Sequence, residues 1–508
     1  MKMTLLLWLS ICSLFGAAFS CDAYIKTNQW PGRSVIVQMF EWKWLDIAEE
    51  CERFLGPKGF GAVQTSPASE NLILDLNGTR PWYERYQVMS NKRVTRSGNE
   101  ADFLNMTTRC NKVGVRIYVD VVFNHMAIPQ NTNKVYNGTG GSTALIDEYL
   151  YPAVPYRKEH FHHPVCEVND YDNATEIRVC QLGGLQDLNQ TMPYVRQRII
   201  VYLNELIDLG VAGFRVDAAK HMWPEDLKEI YKYLSNLKTN HGFRKNSRPY
   251  IYHEVSKGGV VTYADYRDIG DVTEFTAGTE LALIFTGRKP LKTLRSWGTA
   301  ELDMMPNGNA LVFVDNHDTQ RNGFILTHRN ATLYKAALAF LLAHPYGQPR
   351  MTSSFYFNSF DDGPPADSEG NIISPTIDEN GMCDENWVCE HRWGPVYRMV
   401  AFRNEVMNTE VNYWWDNGNN QVAFSLGDKG FIAFNTEGSE MHVEIQTGLP
   451  AGIYCDIISG EKDKELPFCT GRNISVSITG KTEIILSGAE ETHLAIHVGK
   501  ESLLVLTG

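Results

Sequence analysis

Six short runs in the first four hundred residues are apolar on both alternating faces: 34–40 (SVIVQMF), 61–66 (GAVQTS), 115–123 (VRIYVDVVF), 213–218 (GFRVDA), 250–255 (YIYHEV) and 310–315 (ALVFVD). A strand of this kind has no solvent face, which is the habit of parallel sheets covered by helices. Between several of the runs, apolar residues recur at helical spacing, over 46–55, 101–113, 194–209 and 223–237. Alternating β and α of this sort predicts either a doubly wound sheet or a (β/α)8 barrel. Polar residues gather where the strands end, at Asn124-His125, Asp217, Glu254 and Asn316-His317-Asp318. Candidates spread over four strand ends favour the barrel, whose chemistry sits at that edge.

The pattern changes twice. Residues 124–188 are rich in Asn, Gly, Pro, Tyr and His. A structureless loop of that length is improbable in a compact domain, so a small domain inserted after the third strand is expected. Beyond residue 408 the runs 421–425, 430–435, 442–446, 474–478 and 483–486 are short and broken by Gly, Asn and Asp. They predict a C-terminal antiparallel β-sandwich. The expected division is a signal peptide at 1–20, the barrel at 21–123 and 189–407, the insertion at 124–188 and the β domain at 408–508.

Composition narrows the function. With 508 residues, 43% of them hydrophobic and 21% charged, the chain has material for packed cores in more than one domain. Its net charge of −13 argues against nucleic acid and anionic membranes as partners. Lys2, an apolar stretch over residues 5–15 and the small residues of Ala18-Phe19-Ser20 read as a secretory signal. The ten cysteines agree. Cys12 leaves with the signal and Cys21 is the odd thiol. The other eight suit an oxidising compartment: Cys166–Cys180, Cys383–Cys389 and Cys455–Cys469 are natural short-range pairs, which leaves Cys51–Cys110. Sequons at Asn77, Asn105, Asn137, Asn173, Asn189, Asn330 and Asn473 are candidate glycan sites.

Three acidic residues end strands: Asp217 in GFRVDAAKH, Glu254 in YIYHEV and Asp318 in FVDNHDTQR. Two carboxyl groups in different protonation states are what glycoside hydrolysis needs, one to protonate the leaving oxygen and one to attack or to activate water. These segments, preceded by VDVVFNH, resemble the four short signatures of the α-amylase family in their order. RPWYERYQ, TRSGNE, GVRIYVD, GVAGFRVDAAKHMW, LVFVDNHD, LAHPYG and WVCEHRW resemble its animal branch, the insect members above all. The likeness runs from about residue 32 to 497.

The resemblance implies a secreted, monomeric, endo-acting hydrolase of internal α-1,4 bonds in starch, glycogen and malto-oligosaccharides, with retention of configuration. It makes Asp217 the nucleophile, Glu254 the acid and base, and Asp318 the carboxylate that holds sugar hydroxyls. It gives Trp82, Tyr83, Tyr86, Gln87, His125, Arg215, Lys220, His221 and His317 as sugar contacts. Arg215, two residues before Asp217 on one strand, points into the barrel with it and keeps it ionised. A calcium site is implied at Asn124, Arg178, Asp187 and His221, an all-oxygen set of the kind Ca²⁺ prefers. A chloride site is implied at Arg215, Asn316 and Arg350, two guanidiniums without an assigned carboxylate. The anion would lie near Glu254 and disfavour its charged form, which suits a proton donor.

Four features depart from the animal pattern: His253 stands where Gln is usual, Tyr83 where a second Trp is, Gln38 where a His is, and Asn322-Gly323 runs on to Phe324 without a Gly-rich loop. Two other readings remain open, a non-catalytic glucan-binding or storage protein and an exo-acting α-glucosidase.

Overall fold

The computed structural model describes residues 24–76, 78–129, 134–463, 465–488 and 491–506. The expected signal at 1–20, Cys12, Cys21 and the sequon at Asn77 lie outside these residues.

Eight strands close into a parallel barrel: β1 (Ile36–Met39), β2 (Ala62–Thr65), β3 (Arg116–Val121), β4 (Gly213–Val216), β5 (Tyr250–His253), β6 (Asp271–Glu274), β7 (Ala310–Val312) and β8 (Gln348–Ser353). Each pairs with its sequence neighbours, and β8 returns to β1 through Ile36↔Arg350 and Gln38↔Thr352. Six of the strands are those expected from sequence. β6 and β8 were not foreseen. Their sequences, DVTE and QPRMTS, are polar, yet they are buried almost throughout because closure gives them a helix layer outside and the barrel interior inside. Gly270 lets β6 approach β5, since a Cβ there would stand 2.7 Å from the Ile251 carbonyl oxygen.

Local signals start the outer helices. Asn99 caps the helix Glu100–Lys112, accepting from the backbone N–H of Ala101 and Asp102 while Asp102 accepts from Asn99. Pro193 opens Pro193–Asp208, where its missing N–H costs nothing. The helical pattern foreseen to 237 stops at Lys232.

Between β3 and the helix Pro193–Asp208 the chain forms a small irregular lobe. It holds the ribbon Tyr136–Asn137 with Thr143–Ala144, the helix Ala174–Val179 and the Cys166–Cys180 disulfide. It returns to the barrel through a bridge between His125 and Asp187. The other three expected disulfides, Cys51–Cys110, Cys383–Cys389 and Cys455–Cys469, are also formed.

The C-terminal region is all antiparallel β. One sheet joins β9 (Val411–Asp416), β10 (Gln421–Leu426), β11 (Gly430–Asn435) and β16 (His493–His497). The others pair β12 (Met441–Gln446) with β15 (Lys481–Leu486), and β13 (Gly452–Cys455) with β14 (Asn473–Val476) and β17 (Leu503–Leu506). Its own core holds Phe431, Met441, Tyr454, Ile484 and Leu494. The other face of the first sheet packs on barrel helices through Phe424 and Phe434 against Phe340. Within the described residues no helix is long and apolar enough to cross a membrane. Asn105, Asn137, Asn173, Asn330 and Asn473 are exposed and Asn189 is half-buried.

Candidate active site

Register brings the first charged layer together. Asp120 on β3, Arg215 on β4 and Tyr252 on β5 are direct partners across the ladder. All three are at most 1% exposed. Period-two alternation then places Asp217 above Arg215 on the same side, and Glu254 follows the end of β5.

Arg215 is the hub of the site. Its Nη1 donates to Asp120 Oδ1 at 2.6 Å and to Asp217 Oδ1 at 2.8 Å, and its Nη2 lies 2.6 Å from Glu254 Oε1. Sequence reading pairs this guanidinium with Asp217 and leaves it otherwise open to an anion; the structure corrects the second point, for Asp120 and Glu254 hold it as well. The missed partner, Asp120, lay inside VDVVFNH as the one acidic residue of a fully buried strand, which is itself a sign of a designed contact.

The turn after Asp217 fixes Glu254. Ala218 is left-handed, with φ of 48°, an uncommon state for a residue bearing Cβ. In that conformation its N–H donates to Glu254 Oε2 at 2.9 Å. The backbone that carries one carboxylate therefore orients the other. Such local strain is found where surrounding structure enforces it, often at functional sites.

Burial and the Glu254 charge raise the Asp217 carboxyl, and Arg215 opposes them. Burial and Glu254 likewise push Asp318 up to about 7. Asp120, Asp217 and Asp318 are thus all raised above the ordinary carboxylate range, as members of one coupled set near a single guanidinium. Hydrolysis by two carboxyl groups requires such a set to hold one proton.

A second chain of hydrogen bonds closes the opposite wall. Gln38 Nε2 lies 2.9 Å from His317 Nδ1, His317 Nε2 lies 2.8 Å from the Tyr86 hydroxyl, and that hydroxyl donates to Asp120 Oδ2 at 2.9 Å. With the Gln38 amide donating, every donor in the chain has an acceptor, and His317 is the Nε2–H tautomer. Burial and Arg215 push His317 far down, so it stays neutral. Its Nε2 is also 3.2 Å from Asp318 Oδ2. The departure at Gln38 therefore keeps the ring oriented. The departure at His253 is equally well housed: its ring takes Tyr231 Oη at 2.9 Å and the Asp271 carbonyl at 3.0 Å.

A cleft of about 310 Å³ opens above these groups. Trp82, Tyr83, Tyr86, His125, Lys220, His221 and His317 line it with Asp217, Glu254 and Asp318, as expected. Gln87 does not. Its Oε1 accepts from the Ile128 N–H at 2.8 Å, behind the wall. Tyr171, Leu182, Leu185 and Ser256 also line the cleft, and sequence carried no signal for them. The inserted lobe and the loop after β5 bring them in, Val260 N–H bonding to the Tyr171 carbonyl at 2.9 Å.

The expected calcium residues lie at the inserted lobe as two pairs, Asn124 near Asp187 and His221 near Arg178. Asn124 and Asp187 are buried, and the Oδ1 of each lacks any hydrogen-bond partner. Two orphaned buried acceptors are costly unless a cation takes them. His221 Nδ1 donates to the Ile177 carbonyl at 2.8 Å, which sets the adjoining Arg178 backbone beside His221. No cluster of three or more His, Cys, Asp and Glu suited to a metal occurs among the described residues. A site here is therefore an oxygen set with a single carboxylate, which fits a hard cation such as Ca²⁺.

The expected chloride residues fit in a complementary way. Arg350 gives Nη1 to Gln64 Oε1 at 2.8 Å. Its Nε and Nη2, and Nε of Arg215, are buried donors without partners. Asn316 Nδ2 makes only a long contact to Asp318, at 3.4 Å. Unspent guanidinium N–H groups of two neighbouring arginines suit a small anion.

Comparison with known proteins agrees with this geometry. The family described as alpha amylase, catalytic domain matches residues 75–349, and alpha amylase, C-terminal all-beta domain matches 414–499. The chain is 51% identical over 471 residues to an alpha-amylase of Tribolium castaneum, covering 92% of this chain and 94% of that one. It is 52% identical over 472 residues to an alpha-amylase of Tenebrio molitor, covering 92% and 98%. Among solved structures, a mutant alpha-amylase I of Eisenia fetida in complex with maltohexaose superimposes with a TM-score of 0.88 at 38% identity, over 94% of this chain and 99% of that one.

Proposed function

Because this chain belongs to the α-amylase family and hydrolyses starch, we propose that it cuts internal α-1,4 bonds with retention of configuration. Asp217 is the nucleophile, Glu254 the acid and then the base, and Asp318 the group that holds sugar hydroxyls. The supporting observation is the shared guanidinium: Asp217 and Glu254 take adjacent nitrogens of Arg215, while Ala218 N–H ties one to the backbone of the other. Carboxyl groups held side by side suit direct attack rather than a water between them. Asp217 attacks the anomeric carbon as Glu254 protonates the departing oxygen. Glu254 then takes a proton from the water that releases the sugar. His317, its ring held by Gln38 and Tyr86, lines the cleft beside Asp318 as a sugar contact, and the Trp82 and Tyr83 rings give sugar faces a platform.

Proton NMR of a fresh digest tests retention, since the first anomer formed is α if the reading holds. An initial β product overturns it. Product length from soluble starch tests the mode of attack: long and mixed oligosaccharides support internal cleavage, and glucose alone refutes it. We further read it as a secreted monomer acting on starch, glycogen and malto-oligosaccharides; four disulfides support secretion, and the maltohexaose complex of a relative supports the substrate class.

Asn124, Asp187 and the backbone of Arg178 and His221 would hold calcium, which when bound would tie the lobe to the end of the barrel that carries the cleft. Asp187→Ala is expected to abolish the effect of calcium on thermal stability. With free calcium roughly a hundredfold above its Kd, that effect is about 3 kcal/mol. Melting temperature against free calcium measures it, and an unchanged response to chelator shows the site is elsewhere.

Arg215, Asn316 and Arg350 would hold chloride. An anion there favours the neutral form of Glu254. Withdrawing chloride should therefore lower the rate and move the alkaline limb of the pH–rate profile toward lower pH. Arg350→Gln should retain part of the activity and lose the response. Rates on soluble starch across pH, with chloride removed and restored, check this; identical profiles for the native enzyme refute it.

A further inference from the structure

A larger cavity, of about 810 Å³, opens at the other end of the barrel, where the strands begin. Its walls are the segment before β1, the first residue of β3 and the loop before β5. Lys26, Arg116, Arg244, Lys245 and Arg248 line it, and no Asp or Glu does. In a chain of net charge −13 this is a local reversal of sign.

Two of these guanidiniums are fixed by neutral acceptors. Arg116 donates to the Asn28 carbonyl at 2.9 Å, Asn111 Oδ1 at 2.8 Å and the Gly242 carbonyl at 3.1 Å, and lies over the Phe243 ring. Arg248 donates to the Leu234 carbonyl at 2.6 Å and the Tyr24 hydroxyl at 2.7 Å. Burial pulls Arg116 down to about 10, still cationic at neutral pH. Carbonyls orient a charge without cancelling it. Lys26, Arg244 and Lys245 are exposed and have no ion-pair partner among the described residues. Beside them Trp30, also in the wall, is 42% exposed, with the Arg33 guanidinium 5.5 Å from its ring centroid.

Unpaired cations converging in a concave site suit a compact dianion, and an exposed indole beside them suits the flat face of a sugar. We propose that this cavity binds glucan chains carrying phosphate monoesters, the cations holding the phosphate and Trp30 a neighbouring ring. The proposal rests on the starch-hydrolase reading. It makes the barrel base an anchor on phosphorylated starch, distant from Asp217 and so compatible with catalysis in the cleft.

The test compares retention of the full-length mature enzyme, in the cold, on starch granules of high and of negligible phosphate content. The native enzyme should favour phosphate-rich granules by about tenfold at low salt. The double variant Arg244→Gln/Lys245→Gln, altered only at exposed side chains, should lose most of that preference. Its kcat/KM on soluble, unphosphorylated maltoheptaose should stay unchanged. Trp30→Ala should weaken capture of a phosphorylated malto-oligosaccharide while leaving inhibition of that capture by inorganic phosphate intact. Equal retention on the two granules, or an unchanged preference in the double variant, overturns the proposal. So does a phosphorylated oligosaccharide that binds no better than inorganic phosphate, for then only the free ion is read. Failure of the native enzyme on maltoheptaose would instead strike the hydrolase reading, which the granule assay leaves untouched.

Discussion

Asp217→Asn is expected to reduce kcat on starch by at least about 10⁴-fold, the scale on which loss of a covalent nucleophile is felt. The substitution is nearly isosteric, and Asp217 is already raised by burial and by Glu254, so the fold should survive. Glu254→Gln should be nearly as inactive on starch, for a different reason. It removes the proton donor and leaves the nucleophile. A substrate with a good leaving group needs no donor, so Glu254→Gln should regain a fast first step with an aryl or fluoride glycoside. Added azide should then capture its glycosyl-enzyme as the α-azide. Asp217 variants small enough to admit azide should give the β-azide. The stereochemistry of the two azides, read by NMR, assigns the roles; the same anomer from both, or rescue of neither, contradicts the assignment.

Removing Arg215 should have the next largest effect, on stability as well as rate. Its side chain is buried and serves Asp120, Asp217 and Glu254. Breaking a buried charge pair on one side costs about 3–5 kcal/mol, because the partners remain buried without compensation. Arg215→Gln should therefore lose stability on this scale at neutral pH and lower kcat by about 10²-fold or more. The sign with pH follows from linkage. Carboxyl groups raised in the folded state bind more protons there than in the unfolded chain, so stability falls as pH rises. The deficit should grow between about pH 4, the unfolded carboxylate range, and the neutral range set by Asp318, raised to about 7. Arg215→Lys keeps the charge but not the two-pronged geometry; it should recover stability more than rate. Denaturant unfolding across pH, beside kcat, measures both. A deficit that shrinks as pH rises would show that the guanidinium does not govern these carboxyl groups.

The eight-stranded barrel and the antiparallel C-terminal domain were legible because burial on both faces and short broken runs leave different apolar periods in a chain. Asp217, Glu254 and Asp318 were legible because strand ends in an α/β fold are where polar groups cannot be core. Four disulfides followed from spacing and compartment. What the sequence hid has one physical cause: closure of the barrel buries side chains regardless of their polarity. β6 and β8 carry Asp271, Thr273, Arg350 and Thr352 in the interior, so no apolar period announces them. Asp120 was printed in a recognised motif, but its partnership with Arg215 depends on the register of two strands whose residues lie 95 positions apart. Gln87 looked like part of an aromatic platform because it adjoins one in sequence, whereas the turn after Tyr86 sends its amide to Ile128. Tyr171 reached the cleft, and five cations gathered at the opposite end, by loop packing alone. Local pattern determines which residues are strand, helix and strand end; only the closed tertiary fold decides which charges meet, because their meeting is fixed by register and closure rather than by neighbours in the chain.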